Sequence, residues 1–561
     1  MNTVEVVIEN TRERIVIPQG TSLAQLAEQT GNVTTSTTLG ALVNNQIMPM
    51  QYRIYNPKVV RFVDINTSIG YTMYNESLCF MLYKAVRDSY PDATLSIEHA
   101  MINGFFCRIT NAPADLHTVD IANTVRERMI ELQNENIPFV SRMMLRTDAL
   151  PLLESQGISD AYRLIESQGK LYTTLQFLNE TTQHIPVPLI PSTGCLSCWD
   201  FRTFEDGYLL LSPDKRHPDK LAFYRETPKL FNIFQEHHRW AELLQVPTVE
   251  DLNRIVRNHQ ENHLIQVAEA LHEKKYASIA DAIAQRRDEV KMVLLAGPSS
   301  SGKTTSCRRL GVQLAILGFN VLQISLDDYF LNREDTPRQA NGEYDFEALE
   351  ALNLPLLNDQ LSRLFAGEKV NLPTFDFKTG TSFYDPNKMI DMVSAPQGQQ
   401  TILLVEGIHA LNPKLTEQIP ENLKFKVYVS ALTQISVDNQ NIIHSSSNRL
   451  IRRIVRDHNF RGYSAIDTIS RWGSVRDGEI KHIFPYQENA DMMFNSALLY
   501  ELGLLKTYAE PLLKAVPENR EEYSEAQRLL NFIELFEPIS SRYVPPTSIL
   551  REFLGDSSFT Y

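Results

Sequence analysis

A chain of 561 residues with 43% hydrophobic and 22% charged side chains carries apolar material for about three or four domains, which excludes a small disulfide scaffold and wholesale disorder. Lys plus Arg number 54 and Asp plus Glu 68, a net charge of −14; this opposes whole-surface affinity for nucleic acid or an anionic membrane and confines any phosphate site to a local patch. No apolar run approaches the roughly 18–20 residues that span a bilayer, and the five cysteines are odd in number and mostly scattered, as in a reduced cytosolic protein.

The opening residues, Met1 to Glu9, carry acidic side chains where a signal peptide has a basic stretch, so a cytoplasmic location with no membrane partner is expected. Val4–Ile8 and Ile15–Ile17 read as short strands about a polar turn, and Ser22 with Gln25 forms a capping box that opens a helix. Ser77–Asp88 has a helical pattern with Met81, Leu82, Ala85 and Val86 on an apolar stripe, ending before Tyr90-Pro91. On Lys84-Ala-Val-Arg-Asp-Ser-Tyr-Pro91, Ile102-Asn-Gly-Phe-Phe106 and Pro191-Ser-Thr-Gly194, residues 1–225 resemble the N-terminal region of threonyl-tRNA synthetases. The resemblance implies a small β-grasp TGS domain over 1–64 and an α+β synthetase-like domain over 65–225. In that family the second domain edits mischarged tRNA with an HxxxH pair and a CxxxH pair; the matching positions here are Glu76 with Phe80 and Ile185 with Leu189. Phe, Ile and Leu offer no lone pair to a proton or a metal, so the module is expected to be catalytically silent and to serve regulation, RNA contact or packing.

Residues 226–287 read as a helical connector, with apolar residues three and four apart in Val249–Val256 and Leu264–His272. Lys291–Ala296 is then an apolar strand, followed by Gly297-Pro298-Ser299-Ser300-Ser301-Gly302-Lys303-Thr304-Thr305 and a helix running to about Leu317. This is a full G-x-x-x-x-G-K-T in strand–loop–helix context, in which successive N–H groups and the helix dipole face one anion. Lys303 brings a point charge to the β- and γ-phosphates, and the Thr304 hydroxyl is placed to ligate magnesium. Asn320–Ser325 reads as the next strand and delivers Asp327 and Asp328 at its carboxyl end, where open parallel sheets bind ligands; Asp327 is the candidate base for an acceptor hydroxyl. Thr401–Val405 is a third strand ending in Glu406, a second candidate for magnesium. Arg449, Arg452, Arg453 and Arg456 recur at helical spacing, aligning four guanidinium groups on one face opposite Leu450, Ile451, Ile454 and Val455. Continued to Arg461-Gly462, this helix reads as a lid over phosphates.

Together with Ser325–Phe330, Tyr344-Asp345, Leu372–Phe377 and Leu404–Gly407, these segments resemble the uridine kinase and phosphoribulokinase family over roughly residues 288–500. The resemblance implies an α/β P-loop NTPase fold over 288–561, a parallel sheet flanked by helices, that uses ATP and Mg2+ to phosphorylate a sugar 5′-hydroxyl. It matches Asp327 to the base, Asp345 to the carboxylate holding ribose hydroxyls, Arg453 to a ribose-side arginine, and Arg456 and Arg461 to the lid. Where that family reads the nucleobase, this chain has Phe375, Gly380 and Tyr463, which changes the base edge that hydrogen bonds could satisfy. A nucleoside acceptor, with Phe375 and Tyr463 at its site, is the leading expectation. A phosphoribulokinase-like sugar-phosphate kinase and a P-loop switch acting on RNA through the N-terminal half are the alternatives, and a homo-oligomer is compatible with each. Cys195-Leu-Ser-Cys198 lacks further zinc ligands and reads as inert thiols, His237-His238 as a surface pair, and Asn387-Lys388-Met389-Ile390 lacks the carboxylate that reads guanine in GTPases.

Overall fold

The structure, a computed structural model, describes residues 2–30, 38–101, 104–215, 217–223, 225–339, 342–396 and 398–560. Ile102 and Asn103, from one of the segments that carry the synthetase resemblance, lie outside the described residues.

Met292–Ala296 is apolar throughout because it is buried on both faces, as the interior strands of a parallel sheet are. It stands at the centre of five parallel strands in the order Phe319–Ser325, Gln400–Glu406, Met292–Ala296, Lys424–Ser430, Met492–Asn495. The first strand in sequence has its successors on either side, so the connection order reverses at its carboxyl end, where such sheets open a crevice. Alternation along the strand divides the core. Val293 and Leu295 pack with Leu310 and Leu314 of the helix Lys303–Ile316 and with Leu450 and Ile454 of the helix Ser445–Arg456. Met292 and Leu294 pack with Leu357, Leu361 and Leu364 of the helix Leu354–Phe365. Of the five strands, Met292–Ala296, Phe319–Ser325 and Gln400–Glu406 start and stop within a residue or so of the sequence reading, which does not single out Lys424–Ser430 or Met492–Asn495.

Residues 226–287 form helices Pro228–Leu243, Val249–Arg257 and Glu261–Gln285. The last contributes Ile279 and Ile283 to the same core as the phosphate-loop helix, and Arg309 on that helix is held by Glu269 and Glu273 at 3.3 and 2.8 Å.

The chain opens with a mixed five-stranded sheet in the order Glu13–Pro18, Thr3–Ile8, Lys58–Asp64, Thr38–Val43, Gln46–Met48, with Thr3–Ile8 and Lys58–Asp64 parallel. The Ser22 N–H donates to Gln25 Oε1 at 3.0 Å and the Gln25 N–H to Ser22 Oγ at 3.2 Å, the reciprocal cap expected of the pair. A four-stranded and a three-stranded sheet follow. The helix read as Ser77–Asp88 begins earlier and spans Ser68–Ser89, capped by Thr67. Its buried residues run all round rather than along a stripe, because it lies inside the second module's core with Val125 and Met129 of the helix Thr118–Glu135 against it.

A loop at Asn439–Asn441 is one of several contacts between the halves, beside Asn45 Nδ2, which donates to Glu518 O at 2.9 Å, and Lys170 Nζ, 3.0 Å from Glu534. The Ile97 N–H donates to Asn439 O at 2.8 Å, Gln440 Nε2 to Leu95 O at 3.2 Å, and Asn441 Nδ2 to His184 O at 3.1 Å. His444, where this loop enters the arginine helix, lies 3.8 Å from Glu76. Phe80, Ile185 and Leu189, at the other positions matched to the editing pocket, are buried in the apolar core. Among the described residues no helix is long and apolar enough to cross a membrane.

Candidate active site

The phosphate loop takes its shape from close approaches that admit only glycine. A Cβ at Gly297 would stand 2.0 Å from Val429 O, and Gly302 has φ +79° with Ile549 Cδ1 2.4 Å from where its Cβ would be. The loop's carbonyls are gripped from outside. Arg449 Nη1 donates to Ser299 O at 3.0 Å, Arg452 Nη1 to Ser300 O at 3.4 Å, and Ser496 Oγ to Ser301 O at 2.5 Å. With those acceptors taken, the loop is held in the turn that gathers N–H groups on its inner side. The Ser300 and Ser301 hydroxyls are buried without a partner among the described residues, so the cradle has donors to offer a polyphosphate.

Lys303 Nζ rests on Pro298 O at 3.2 Å. The Thr304 hydroxyl donates to Glu406 Oε1 at 3.3 Å, and Ser325 Oγ donates to the same oxygen at 2.9 Å. A hydroxyl and a carboxylate from two elements suit magnesium, which keeps few protein ligands. Among the described residues no group of three or more His, Cys, Asp or Glu side chains gathers as a preformed metal cage; Cys195 and Cys198 are free thiols.

Glu406 is 6% exposed; burial, then the charge of Asp327, push its carboxyl up to about 7, against Lys303 and the Ser325 hydrogen bond. A protonated carboxyl does not ligate magnesium, so a metal–nucleotide held by Glu406 would have to expel this proton. Affinity for MgADP is therefore expected to rise as pH climbs through about 7 and then level off. Asp327→Asn, by removing the neighbouring charge, should move the fall to lower pH. Calorimetric titration from about pH 5.5 to 8.5 checks this; an affinity flat over that range contradicts it.

Asp327 and Asp328 share the turn Leu326–Tyr329 but do different work. Asp328 Oδ1 accepts the Phe375 N–H at 3.3 Å and Oδ2 pairs with Lys388 Nζ at 3.2 Å, tying the turn to the hairpin of Val370–Asp376 and Thr381–Ile390. Lys388, from the near-miss guanine motif, is thus a strut. Asp327 is half-buried and its charge bears on Glu406, Glu347 and Arg461; its carboxylate carries no hydrogen bond from the described residues. Asp328→Asn, which keeps an acceptor for Phe375, is expected to cost no more than a few-fold in kcat/KM; a loss as deep as that of Asp327→Asn would reverse the two assignments.

The arginine helix is not the open face that its spacing alone predicts. Arg449 is buried and Arg452 is 0% exposed. They are paired with Glu479 and Glu501 respectively, and Phe553 and Trp472 lie against their guanidinium groups. Only the later arginines address the cleft. Arg453 Nη1 donates to Ser299 Oγ at 2.7 Å, and Arg453, Arg456 and Arg461 converge on Asp457 at 3.3, 2.7 and 3.7 Å. The helix widens here into a π-turn over Asp457–Arg461 and stops at Gly462, φ +70°. Three cations share one carboxylate. Asp457 is held below the usual carboxylate range, since Arg456, Arg453 and Arg461 outweigh its burial. Arg461 is pulled down to about 10 by Arg456 and by burial, a surplus of positive charge that an incoming phosphoryl group would relieve.

At the positions that the sequence reading gives to the acceptor, Asp345 is half-buried; the nearby His482 ring is held below its ordinary value by burial and then by Lys481, with the Asp345 charge opposing. Phe375 is 8% exposed and packs among Phe330 and Phe377 at ring distances of 5.7 and 5.1 Å; Phe377 is the exposed member, with Arg461 5.2 Å above it. Tyr463 lies under Arg471 at 4.7 Å. Gly380 turns the hairpin at φ +75°, and Arg333 Nε would be 2.8 Å from a Cβ there, so any side chain at this position would displace Arg333.

Two residues of the cleft escaped the sequence reading. Glu347, two beyond Asp345, is packed against Gly478 with Oε2 unpartnered among the described residues, and burial raises its carboxyl to about 7 against Arg453. His409, three beyond Glu406, is 1% exposed with neither ring nitrogen hydrogen-bonded among the described residues and is lowered to about 4 by burial and His482. Their only sequence signal is adjacency to motif residues.

Residues 292–499 match the model of the Phosphoribulokinase / Uridine kinase family. The C-terminal half holds a domain of this family. A uridine kinase of Schizosaccharomyces pombe is 28% identical over 206 residues, 36% of this chain and 37% of that protein, so the chain spans little more than a third of that relative. A uridine kinase of Deinococcus deserti is 26% identical over 200 residues, 36% of this chain and 84% of that protein. A solved structure of a possible uridine kinase from Bacillus stearothermophilus is 18% identical, with a TM-score of 0.26, covering 39% of this chain and 98% of that one. The kinase-family domain thus contains the phosphate loop, Asp327, Glu406 and the arginine cluster, while residues before 292 lie outside the matched region.

Proposed function

We propose that the protein is an ATP- and Mg2+-dependent kinase that phosphorylates the 5′-hydroxyl of a nucleoside. The observation that carries this reading is the division of labour in the Asp327-Asp328 turn: Asp328 is consumed by the hairpin, and Asp327 accepts no hydrogen bond from the described residues while its charge reaches the Glu406 carboxyl beside Thr304. MgATP supplies the phosphoryl group and ADP as its leaving group. Gly297 to Thr305 cradle the phosphates, with Lys303 on the β- and γ-groups; Thr304 and Glu406 hold the metal. Asp327 takes the proton of the acceptor hydroxyl and aims its oxygen. Asp345 and Arg453 hold the sugar, and Arg456 and Arg461 balance the charge in transit. Phe377 and Tyr463 offer ring faces to a base, with Phe375 backing Phe377.

The N-terminal half fits this reading as a cytoplasmic TGS-like and synthetase-like appendage without editing chemistry. Its former pocket positions serve packing, and Glu76 pairs with His444 at the entrance to the arginine helix.

A panel of nucleosides, pentoses and pentose phosphates, assayed with ATP and magnesium by coupled ADP release, tests the proposal. Nucleoside-dependent ADP formation is the expected result. A strict need for a sugar phosphate would make it a sugar-phosphate kinase, and acceptor-independent hydrolysis stimulated by RNA would make it a switch.

A further inference from the structure

The last residues fold back across the phosphate loop. Ile549, Leu550 and Phe553 are fully buried. Ser548 Oγ donates to Glu269 at 2.5 Å, Asn459 Nδ2 to Phe553 O at 3.1 Å, and Arg551 Nη2 to Val544 O at 2.8 Å. This anchored segment carries one half-buried acid, Glu552, in the short helix Arg551–Leu554. Glu552 Oε2 accepts both the Thr305 N–H at 3.1 Å and the Thr305 hydroxyl at 2.7 Å.

A phosphate loop reads its ligand in order along the chain. Lys303 and Thr304 serve the β- and γ-phosphates and the metal, and the donors next along the first helical turn are left for the α-phosphate. Thr305 is that next residue, and both of its donors are spent on a carboxylate. Carboxylate and phosphate are both anions, so they cannot share these donors without strong repulsion. The backbone of the segment is fixed by buried anchors, which leaves rotation of the Glu552 side chain as the movement that frees Thr305.

We propose that Glu552 is a built-in competitor for the α-phosphate position: a nucleotide binds only as this carboxylate swings off Thr305, so the C-terminal segment sets nucleotide affinity. The inference rests on the kinase reading only insofar as the loop binds a nucleotide.

Calorimetric titration of MgADP into the full chain and into Glu552→Ala, Glu552→Gln and Asp556→Asn tests it, with circular dichroism verifying the fold of each. Glu552→Ala should bind about tenfold more tightly than the unaltered protein, and Glu552→Gln should also gain, by less, since its amide oxygen still accepts from Thr305. Asp556, on the same segment, is 96% exposed and 3.9 Å from Arg551; its substitution removes one negative charge without touching the loop and should change nothing. Unchanged or weaker binding by both Glu552 variants overturns the proposal and leaves the kinase reading intact. An equal gain from Asp556→Asn overturns it in favour of general charge. Failure of all four proteins to bind MgADP removes the nucleotide reading and the proposal with it.

Discussion

Asp327→Asn is expected to lower kcat by about 100- to 10,000-fold, the usual worth of a positioned general base, while the protein stays folded and still binds MgADP. The amide is nearly the same size and can still receive a hydrogen bond from an acceptor hydroxyl, but it cannot take the proton. No structural bond is broken by the change, since the described residues give Asp327 no hydrogen-bond partner, unlike Asp328 with Phe375 and Lys388. Lys303→Ala should be as damaging to turnover, but through a different step: it removes the charge that binds the phosphates, so affinity for MgADP falls too. Steady-state ADP release beside thermal unfolding distinguishes these outcomes. Near-normal turnover by Asp327→Asn would contradict its role as base.

Arg452→Ala is expected to cost about 3–5 kcal/mol, the loss found when one partner of a buried ion pair is removed. Arg452 is the largest fully buried side chain among the described residues. It pairs with Glu501, donates to Ser496 O at 2.9 Å and reaches Ser300 O at 3.4 Å. Alanine would leave the Glu501 carboxylate in the core without its countercharge and release Ser300 O of the phosphate loop, so stability and nucleotide binding should fail together. Lysine should rescue little, because one ammonium cannot span the carboxylate and the two carbonyls as the guanidinium fork does. Urea unfolding of the full chain, followed by fluorescence, measures the loss; an unchanged midpoint would mean that the clamp is dispensable.

The phosphate loop was legible in the sequence because its geometry leaves little choice of residue: only glycine fits against Val429 O, and only a left-handed residue opens the helix at Gly302. Met292–Ala296 was legible for a similar reason, as a continuous apolar run buried on both faces, whereas Lys424–Ser430, interrupted by Lys424 and Lys426, offers no such run. The arginine periodicity disclosed a helix but not the fate of its charges, because the acids that bury Arg449 and Arg452 come from Glu479 and Glu501, 30 and 49 residues further on. The choice between Asp327 and Asp328 likewise depends on Lys388, 60 residues away. The Ser68–Ser89 helix was read short because an amphipathic pattern marks helices at a surface, and this one is enclosed. Glu552 meets Thr305 across 247 residues, a contact that no local pattern announces.

The most direct test of phosphoryl transfer to an alcohol is to follow γ-labelled ATP with the unaltered protein, magnesium and the nucleoside panel, separating phosphate esters from inorganic phosphate. The account predicts label in an acid-stable ester on a nucleoside 5′-oxygen, one per ADP formed. Label recovered solely as inorganic phosphate, whichever acceptor is present, would contradict it.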